Sequence, residues 1–159
     1  MKKKYLLIGI IVFGFIIYYL GWSLSPGSYA RAETYKFNVS EKTLIEIINE
    51  VKLENHSINL NTYGYQDGRE SHWHSFYFYY KDKNQIIHTW TRPKSKTETT
   101  FAFVGYKNGN DLGNWINANE NFWWWKNSKA KTEFETRILN KIKEKINKRK
   151  PKESTQITD

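Results

Sequence analysis

The sequence predicts an α+β domain that follows an N-terminal apolar helix, and three observations lead to this prediction. A long uncharged apolar run lies near the start of the chain. Several later segments alternate apolar and polar residues, as half-buried strands do, and short turns join them. Two further segments repeat apolar residues every three or four positions, as amphipathic helices do. Because short hairpins join antiparallel strands, we expect an antiparallel sheet of about four strands packed with two amphipathic helices.

The composition limits what the chain can be. Its 159 residues suit one small domain with an appendage. The chain has no cysteine, which excludes disulfides, thiolate zinc sites and cysteine nucleophiles. The mean hydropathy of −0.75 averages over the apolar N-terminus and a much more polar remainder. Aromatic residues make up 17% of the chain, a high share, so we expect aromatic side chains to mark any functional surface.

The N-terminal segment has the features of a transmembrane signal-anchor. Residues 1–4 form a basic start, and residues 5–24 carry no charge. As a helix, the stretch from Tyr5 to Trp22 would measure about 27 Å, close to the ~30 Å hydrocarbon core of a bilayer. Because lysines stay on the cytoplasmic side, this pattern predicts a single-pass protein of the cytoplasmic membrane with its N-terminus inside and its domain outside.

A cleaved signal peptide is the alternative for the same segment. Residues 30–32 (Ala-Arg-Ala) have the small-x-small pattern of a cleavage site, and Pro26 would end the helix before them. The apolar run exceeds the roughly 7–15 residues of a signal peptide, and the pattern lies well beyond Trp22. The anchor is therefore favoured, with secretion after cleavage near Ala32 as the other interpretation.

After a linker of turn-forming residues at 25–33, the domain is expected over residues 34–149. Tyr35, Phe37 and Val39 alternate with polar residues and predict its first strand.

The first helix of the domain is predicted over Glu41–Glu54, with Ser40 as its N-cap. Its apolar residues share one face: Leu44, Ile47, Ile48 and Val51. Residues 55–70 are rich in Asn, Gly and Tyr, which predicts a loop with at most a short strand near Ile58–Leu60.

Three strands are predicted next, at His72–Tyr80, Gln85–Arg92 and Thr97–Lys107. Residues 81–84 make a hairpin turn between the first two of these strands. With the turn centred near residues 82–83, Tyr77 pairs with His88.

The second helix is predicted from Ser128 to Arg149, after a loop at 111–127. Its apolar stripe can dock on a sheet and consists of Phe134, Ile138, Leu139, Ile142 and Ile146. Pro151 is expected to stop this helix, and residues 150–159 are expected to form a disordered polar tail.

Several short motifs give the chain a resemblance to a group of proteins. In chain order they are SPGSYARAE (25–33), FYFYY (76–80), TWTR (89–92), TFAFV (100–104), LGNW (112–115) and RILNKI (137–142). Together they resemble small, uncharacterised, membrane-anchored bacterial proteins. The resemblance implies a membrane anchor and carries no activity, cofactor or site residue.

The predicted hairpin places large rings with polar tips on one sheet face. In the register above, Phe76, Phe78 and Ile87 face the core. The opposite face carries Trp73, Tyr77, Tyr79, His88, Trp90 and Arg92. Such rings suit a half-wet surface that binds a sugar, a peptide or a protein, and Arg92 is expected within cation–π range of Trp73. Burial under the second helix is the alternative.

A histidine cluster is the other candidate site in the domain. On a strand, His72 and His74 would lie about 7 Å apart on one face, a spacing that can chelate a metal ion. In the register above, His88 lies on the opposite face from His72 and His74, and in a register shifted by one it would lie about 13 Å along the strand from His74. Glu70 or Asp67 would therefore have to complete the site. No nucleophile motif accompanies the histidines. A small hydrolase or metal-dependent enzyme that uses His72, His74 and Glu70 therefore stays an alternative.

Two further segments suggest surfaces rather than chemistry. Residues Trp123, Trp124 and Trp125 cannot all face one core, and tryptophan favours the membrane interface, so one interpretation is that this loop dips into the outer leaflet. Packing on the sheet edge or against a protein partner is the alternative. Residues 141–152 carry seven positive charges and one negative charge. A basic nucleic-acid-binding module is one interpretation. If the domain lies outside the cytoplasm, anionic lipid or an envelope polymer is a better partner for these basic residues than nucleic acid.

Taken together, the sequence favours a non-catalytic, membrane-anchored interaction protein associated with the cell envelope. No catalytic residue, metal or cofactor is assigned, no nucleic acid is expected, and the partner beyond membrane lipid at residues 5–24 is a protein or an envelope polymer.

Overall fold

The computed structural model describes residues 2–23, 29–54, 65–109 and 114–153, and everything below concerns these residues. The elements in chain order are helix α1 (Lys2–Ser23), strand β1 (Glu33–Phe37), helix α2 (Glu41–Glu54), strands β2 (Gly68–Glu70), β3 (Trp73–Tyr80), β4 (Gln85–Pro93), β5 (Thr99–Asn108) and β6 (Ile116–Asn117), and helices α3 (Trp124–Phe134) and α4 (Asn140–Glu153). A π-helical segment, Glu135–Leu139, joins α3 to α4. The predicted α+β class with an N-terminal apolar helix is confirmed.

The sheet has six antiparallel strands rather than about four. Its order is β1-β5-β4-β3-β2, and β6 pairs with β5. The two unpredicted strands, β2 and β6, have three and two residues, which is too short for a pattern of alternation to be visible. The predicted short strand near Ile58–Leu60 lies outside the described residues.

The β3–β4 hairpin has the register that the turn predicted, with Tyr77 opposite His88. A short 3₁₀ turn at Lys81–Lys83 joins the strands, and Asn84 closes it at a φ of 47°, which asparagine tolerates well. Between β4 and β5 the register shifts after His88, so that Val104 is an extra residue, or bulge, on β5.

Both domain helices pack on the same face of the sheet and form the main core with it. The predicted stripe of α2 is fully buried, and all five predicted apolar residues of the second helix are buried as well. Phe134 stacks on Phe103 with ring centroids 4.6 Å apart. The predicted N-cap is also confirmed, because the Thr43 N–H donates a hydrogen bond to the Ser40 hydroxyl over 3.2 Å.

The second helix extends beyond its predicted limits at both ends. It begins at Trp124, where the Asn127 side chain accepts a hydrogen bond from the Asn121 N–H and donates one to the Asn121 carbonyl. It ends at Glu153, so the prediction that Pro151 stops it is wrong. A proline in the last turn removes a single backbone hydrogen bond, so the helix can continue for two more residues after it. Of the predicted disordered tail, residues 154–159 lie outside the described residues.

Helix α1 stands apart from this core. Within the described ranges, α1 is the one helix that is both long enough and apolar enough to cross a membrane. None of its apolar stretch is buried. Its side chains from Tyr5 to Leu20 are exposed, which is the arrangement that a lipid environment would require.

Candidate functional site

The sheet face that points away from α2, α3 and α4 carries the predicted binding residues, and we call it the aromatic face. All six lie on it because side chains alternate along a strand and Tyr77 pairs with His88. They are Trp73, Tyr77, Tyr79, His88, Trp90 and Arg92. The Arg92 guanidinium lies 5.9 Å from the centre of the Trp73 ring, as predicted.

Segments that connect the elements, rather than a helix, cover part of the aromatic face. Tyr29, which precedes β1, packs its ring 5.5 Å from Trp73 and 6.0 Å from Trp90. Tyr65 and Trp115, which precede β2 and β6, pack against Tyr77 at 5.0 Å and 6.3 Å. These three covering rings were missed by the sequence analysis, because no local pattern links a loop residue to a sheet face.

His88 lies at the centre of the aromatic face, inside a stack of rings. It is parallel to Tyr77 at 4.8 Å, and Trp115 and Tyr29 lie 5.5 Å and 5.8 Å away. Its Nε2 lies 3.4 Å from the Ser75 hydroxyl. Burial lowers the pKa of His88 to about 4, because the charged imidazolium would lose its hydration. At neutral pH, His88 is therefore a neutral ring within the stack.

A molecule approaching the aromatic face meets only part of the predicted set. Trp90 and His88 are buried, at 7% and 9% exposure, while Trp73, Tyr77 and Tyr79 are half-buried and Arg92 is exposed. The buried pair supports the accessible residues from below. The accessible residues combine apolar rings, phenolic hydroxyls and one cation, which suits hydrogen-bonding and stacking partners.

The histidine cluster does not form as the strand spacing suggested. Strand β3 begins at Trp73, so His72 lies in the two-residue β2–β3 turn and is exposed. The ring of His74 stacks on Phe76 at 4.7 Å, toward the helices, and burial together with nearby Arg69 lowers its pKa.

The carboxylates named for that cluster have other positions. Asp67 accepts a hydrogen bond from the Tyr77 N–H at 2.9 Å and pairs with Lys52, while Glu70 is exposed opposite Trp73. Among the described residues, no group of three His, Asp or Glu side chains is placed to hold a metal ion.

Helix α1 joins the domain through Phe122, which lies between β6 and α3. The Tyr18 hydroxyl donates a hydrogen bond to the Phe122 carbonyl over 2.9 Å. The Phe122 ring packs edge-on against Tyr18 at 4.9 Å and against Trp22 at 5.5 Å. Arg31 completes the junction, because its guanidinium lies 4.6 Å from the centre of the Trp22 ring and 3.3 Å from Glu120.

The tryptophan triplet that follows Phe122 runs along α1. The exposed fractions of Trp123, Trp124 and Trp125 are 39%, 67% and 51%. Between the triplet and α1 lies an apolar groove of about 330 Å³, lined on the helix side by Ile11, Gly14, Phe15 and Tyr18. The expectation that these tryptophans cannot all be buried in one core is confirmed.

A second cleft, of about 270 Å³, lies between α3 and the part of the sheet where the β3–β4 hairpin turns beside β5. Its floor is apolar, with Ile87, Phe103 and Phe134, and three exposed lysines line it: Lys83, Lys126 and Lys129. Sequence reasoning missed this lysine-lined cleft, because its lysines come from two elements whose packing only the tertiary structure reveals.

The basic end of α4 is partly neutralised by α2. Lys145 lies 2.6 Å from Glu54, and Arg149 pairs with Glu50 and Glu46. These contacts hold α4 against α2 and reduce the charge that the segment can offer to a polyanion.

No protein-family model, no curated protein and no solved structure matches this chain.

Proposed function

We propose that the protein is a single-pass membrane protein with its N-terminus inside, whose non-catalytic domain lies outside the cytoplasmic membrane and against the outer leaflet. The observation that carries this proposal is the exposed tryptophan triplet beside an exposed apolar helix. Both surfaces are costly in water and favourable in a bilayer.

The depth of the triplet follows from the helix geometry. Tyr18, Tyr19 and Trp22 make an aromatic belt, which belongs at the headgroup level. From Tyr18 to Ile11, α1 descends about 10 Å at 1.5 Å per residue, and the triplet lines this stretch. A penetration of about 5–10 Å is typical of interfacial elements.

The aromatic face is proposed as the interaction surface, with a protein or an envelope polymer as its partner. Trp73, Tyr77 and Tyr79 offer half-buried rings, and Arg92 adds a cation above Trp73. Rings with polar edges bind sugars and peptides by stacking and hydrogen bonding at a small cost in conformational entropy.

The alternatives have less support from the described residues. A hydrolase or metal enzyme would need His72, His74 and Glu70 together, and His74 packs on Phe76 instead. A nucleic-acid-binding module would need unpaired cations on α4. Two of the cations of α4, Lys145 and Arg149, pair with glutamates of α2 instead. Metal analysis of the purified protein, with His72→Ala as the comparison, tests the first alternative.

Topology is tested by a reporter fused after Asp159. We expect activity only from a reporter that works outside the cytoplasm, and the opposite result would reject the proposed orientation. Mass spectrometry of the protein from membranes separates the anchor from the cleaved form, because cleavage near Ala32 would remove α1.

Insertion of the triplet is tested in bilayers that contain brominated lipids, which quench tryptophan at membrane depth. In the full chain, Trp124→Phe/Trp125→Phe should remove much of the quenched fluorescence. The matched control, Trp73→Phe/Trp115→Phe, removes two indoles from the aromatic face and should leave the quenched signal unchanged. Equal loss in both variants would refute insertion.

The interaction surface is tested by photo-crosslinking in cells. A photoreactive residue at Arg92 or Tyr79 should give adducts, whereas the same residue at Lys143, an exposed position on α4, should not. Equal adduct formation at all of these positions would reject the aromatic face as the binding surface.

A further inference from the structure

The lysine-lined cleft between α3 and the sheet has the chemistry of an anion site with an apolar floor. Its floor is formed by Ile87, Phe103 and Phe134, whose side chains are almost fully buried. Lys83, Lys126 and Lys129 bring three cations to its edge. A volume of about 270 Å³ lies just below the roughly 300–1,000 Å³ of small-molecule pockets, so the cleft suits a headgroup and the adjoining part of an acyl chain better than a whole lipid.

The charges around the cleft are unbalanced toward the positive. Glu133, the acidic residue in its lining, is already paired with Lys83 and with Arg137. In the part of the chain that the structure describes, neither Lys126 nor Lys129 forms an ion pair. These two ammonium groups are therefore available to an anion.

A buried hydroxyl adds a second, independent feature. Tyr80 lines the cleft at 7% exposure, and its hydroxyl has no hydrogen-bond partner within the described ranges. An unpartnered buried hydroxyl costs about 1–3 kcal/mol, and a bound acceptor oxygen would relieve this cost. Burial and nearby Glu133 raise the pKa of Tyr80, which keeps the hydroxyl protonated as a donor.

The position of the cleft relates it to the membrane proposed above. Helix α3 begins at Trp124, so Lys126 directly follows the triplet and Lys129 lies about 7.5 Å along the helix axis from Trp124. If Trp124 and Trp125 lie at the acyl boundary, the long side chains of Lys126 and Lys129 can reach toward the lipid phosphates.

We infer that the lysine-lined cleft binds the phosphate-bearing headgroup of an anionic lipid of the outer leaflet, with Lys126 and Lys129 on the phosphate and Tyr80 as a hydrogen-bond donor. This inference rests on the proposed membrane apposition of the domain. It goes further by naming the ligand class and the residues that select it.

The test uses the full chain in neutral detergent, titrated with short-chain phosphatidylglycerol or short-chain phosphatidylcholine and followed by native mass spectrometry. Preference for phosphatidylglycerol supports the inference. Lys126→Gln/Lys129→Gln should weaken phosphatidylglycerol binding by about tenfold or more, since each lysine near a lipid surface contributes several-fold. The matched control is Lys143→Gln/Lys148→Gln, two exposed lysines of α4, which should change it less than about twofold.

Two further arms distinguish the sources of the phosphate and the role of the hydroxyl. Glycerol phosphate should compete weakly, because it lacks the apolar part that meets the floor of the cleft. If it bound as tightly as phosphatidylglycerol, the ligand would be a soluble anion rather than a lipid, and the inference would be overturned. Tyr80→Phe keeps the ring and should reduce phosphatidylglycerol binding without reducing thermal stability. Equal binding of both lipids, or equal loss in cleft and control variants, would also overturn it.

The failure of this inference and the failure of the proposed function give different results. A reporter in the cytoplasm or unquenched tryptophans would reject membrane apposition, whereas headgroup selectivity in detergent depends on the cleft alone.

Discussion

His88 is a histidine held neutral by a stack of rings, and this links the stability of the domain to pH. The unfolded chain protonates His88 near its ordinary pKa of 6.5, while the folded domain does so at about 4. Because the folded pKa is lower, the unfolded state binds more protons between these values. The contribution of neutral His88 to the free energy of unfolding is therefore fully present above about pH 6.5. It is lost as the pH falls toward 4.

The size of the effect follows from the two pKa values. A difference of one pKa unit corresponds to about 1.4 kcal/mol, so the full loss below pH 4 is about 3 kcal/mol and the loss at pH 5 is about 2 kcal/mol. With a urea dependence of about 1–3 kcal/mol per molar, the midpoint should move by about 1 M at pH 5.

The assay compares urea unfolding of the full chain and of His88→Phe in the same detergent at pH 7.5 and at pH 5. The phenyl ring can keep the stack with Tyr77 but cannot titrate. His74, whose pKa is also lowered, remains in both proteins and cancels in the difference. The variant should lose about 2 kcal/mol less than the wild type on acidification. Equal losses would refute the burial of a neutral imidazole.

Two predictions concern packing. Phe134→Ala removes a fully buried ring that stacks on Phe103, and we expect a loss of about 3–5 kcal/mol in the free energy of unfolding, measured with urea. Gly105→Ala would press a methyl group against the Ile116 carbonyl of β6 and should cost about 1–3 kcal/mol by the same assay. Gly68→Ala, where the methyl group meets open space, is its control, and an equal loss there would contradict the role of the β5–β6 contact.

The elements and faces of the domain could largely be predicted from the sequence. The stripe of α2 from Leu44 to Val51 is fully buried, because a period near 3.6 fixes one side of a helix. The turn after Tyr80 fixed the pairing of Tyr77 with His88, and with it the membership of the aromatic face. The strands β2 and β6 could not be predicted, since two or three residues carry no period.

The candidate sites divide in a similar way. The exposure of Trp124 and Trp125 could be expected from three consecutive indoles, because neighbouring residues of a helix point in different directions. The burial of His88 could not, because the rings that enclose it, Tyr29 and Trp115, come from distant connections. The displacement of His72 into a turn depended on a strand too short to recognise.

The sequence by itself determined the fold class, the apolar helix, the two amphipathic helices and the hairpin register, because each follows from local periodicity and turn chemistry. Only the tertiary structure decided that β1 pairs with β5, that Phe122 packs on Tyr18 of α1, and that Lys126 and Lys129 meet Tyr80 across a cleft. These contacts join residues far apart in the chain. Such contacts depend on how whole helix and sheet faces pack together, and a local sequence pattern does not determine that packing.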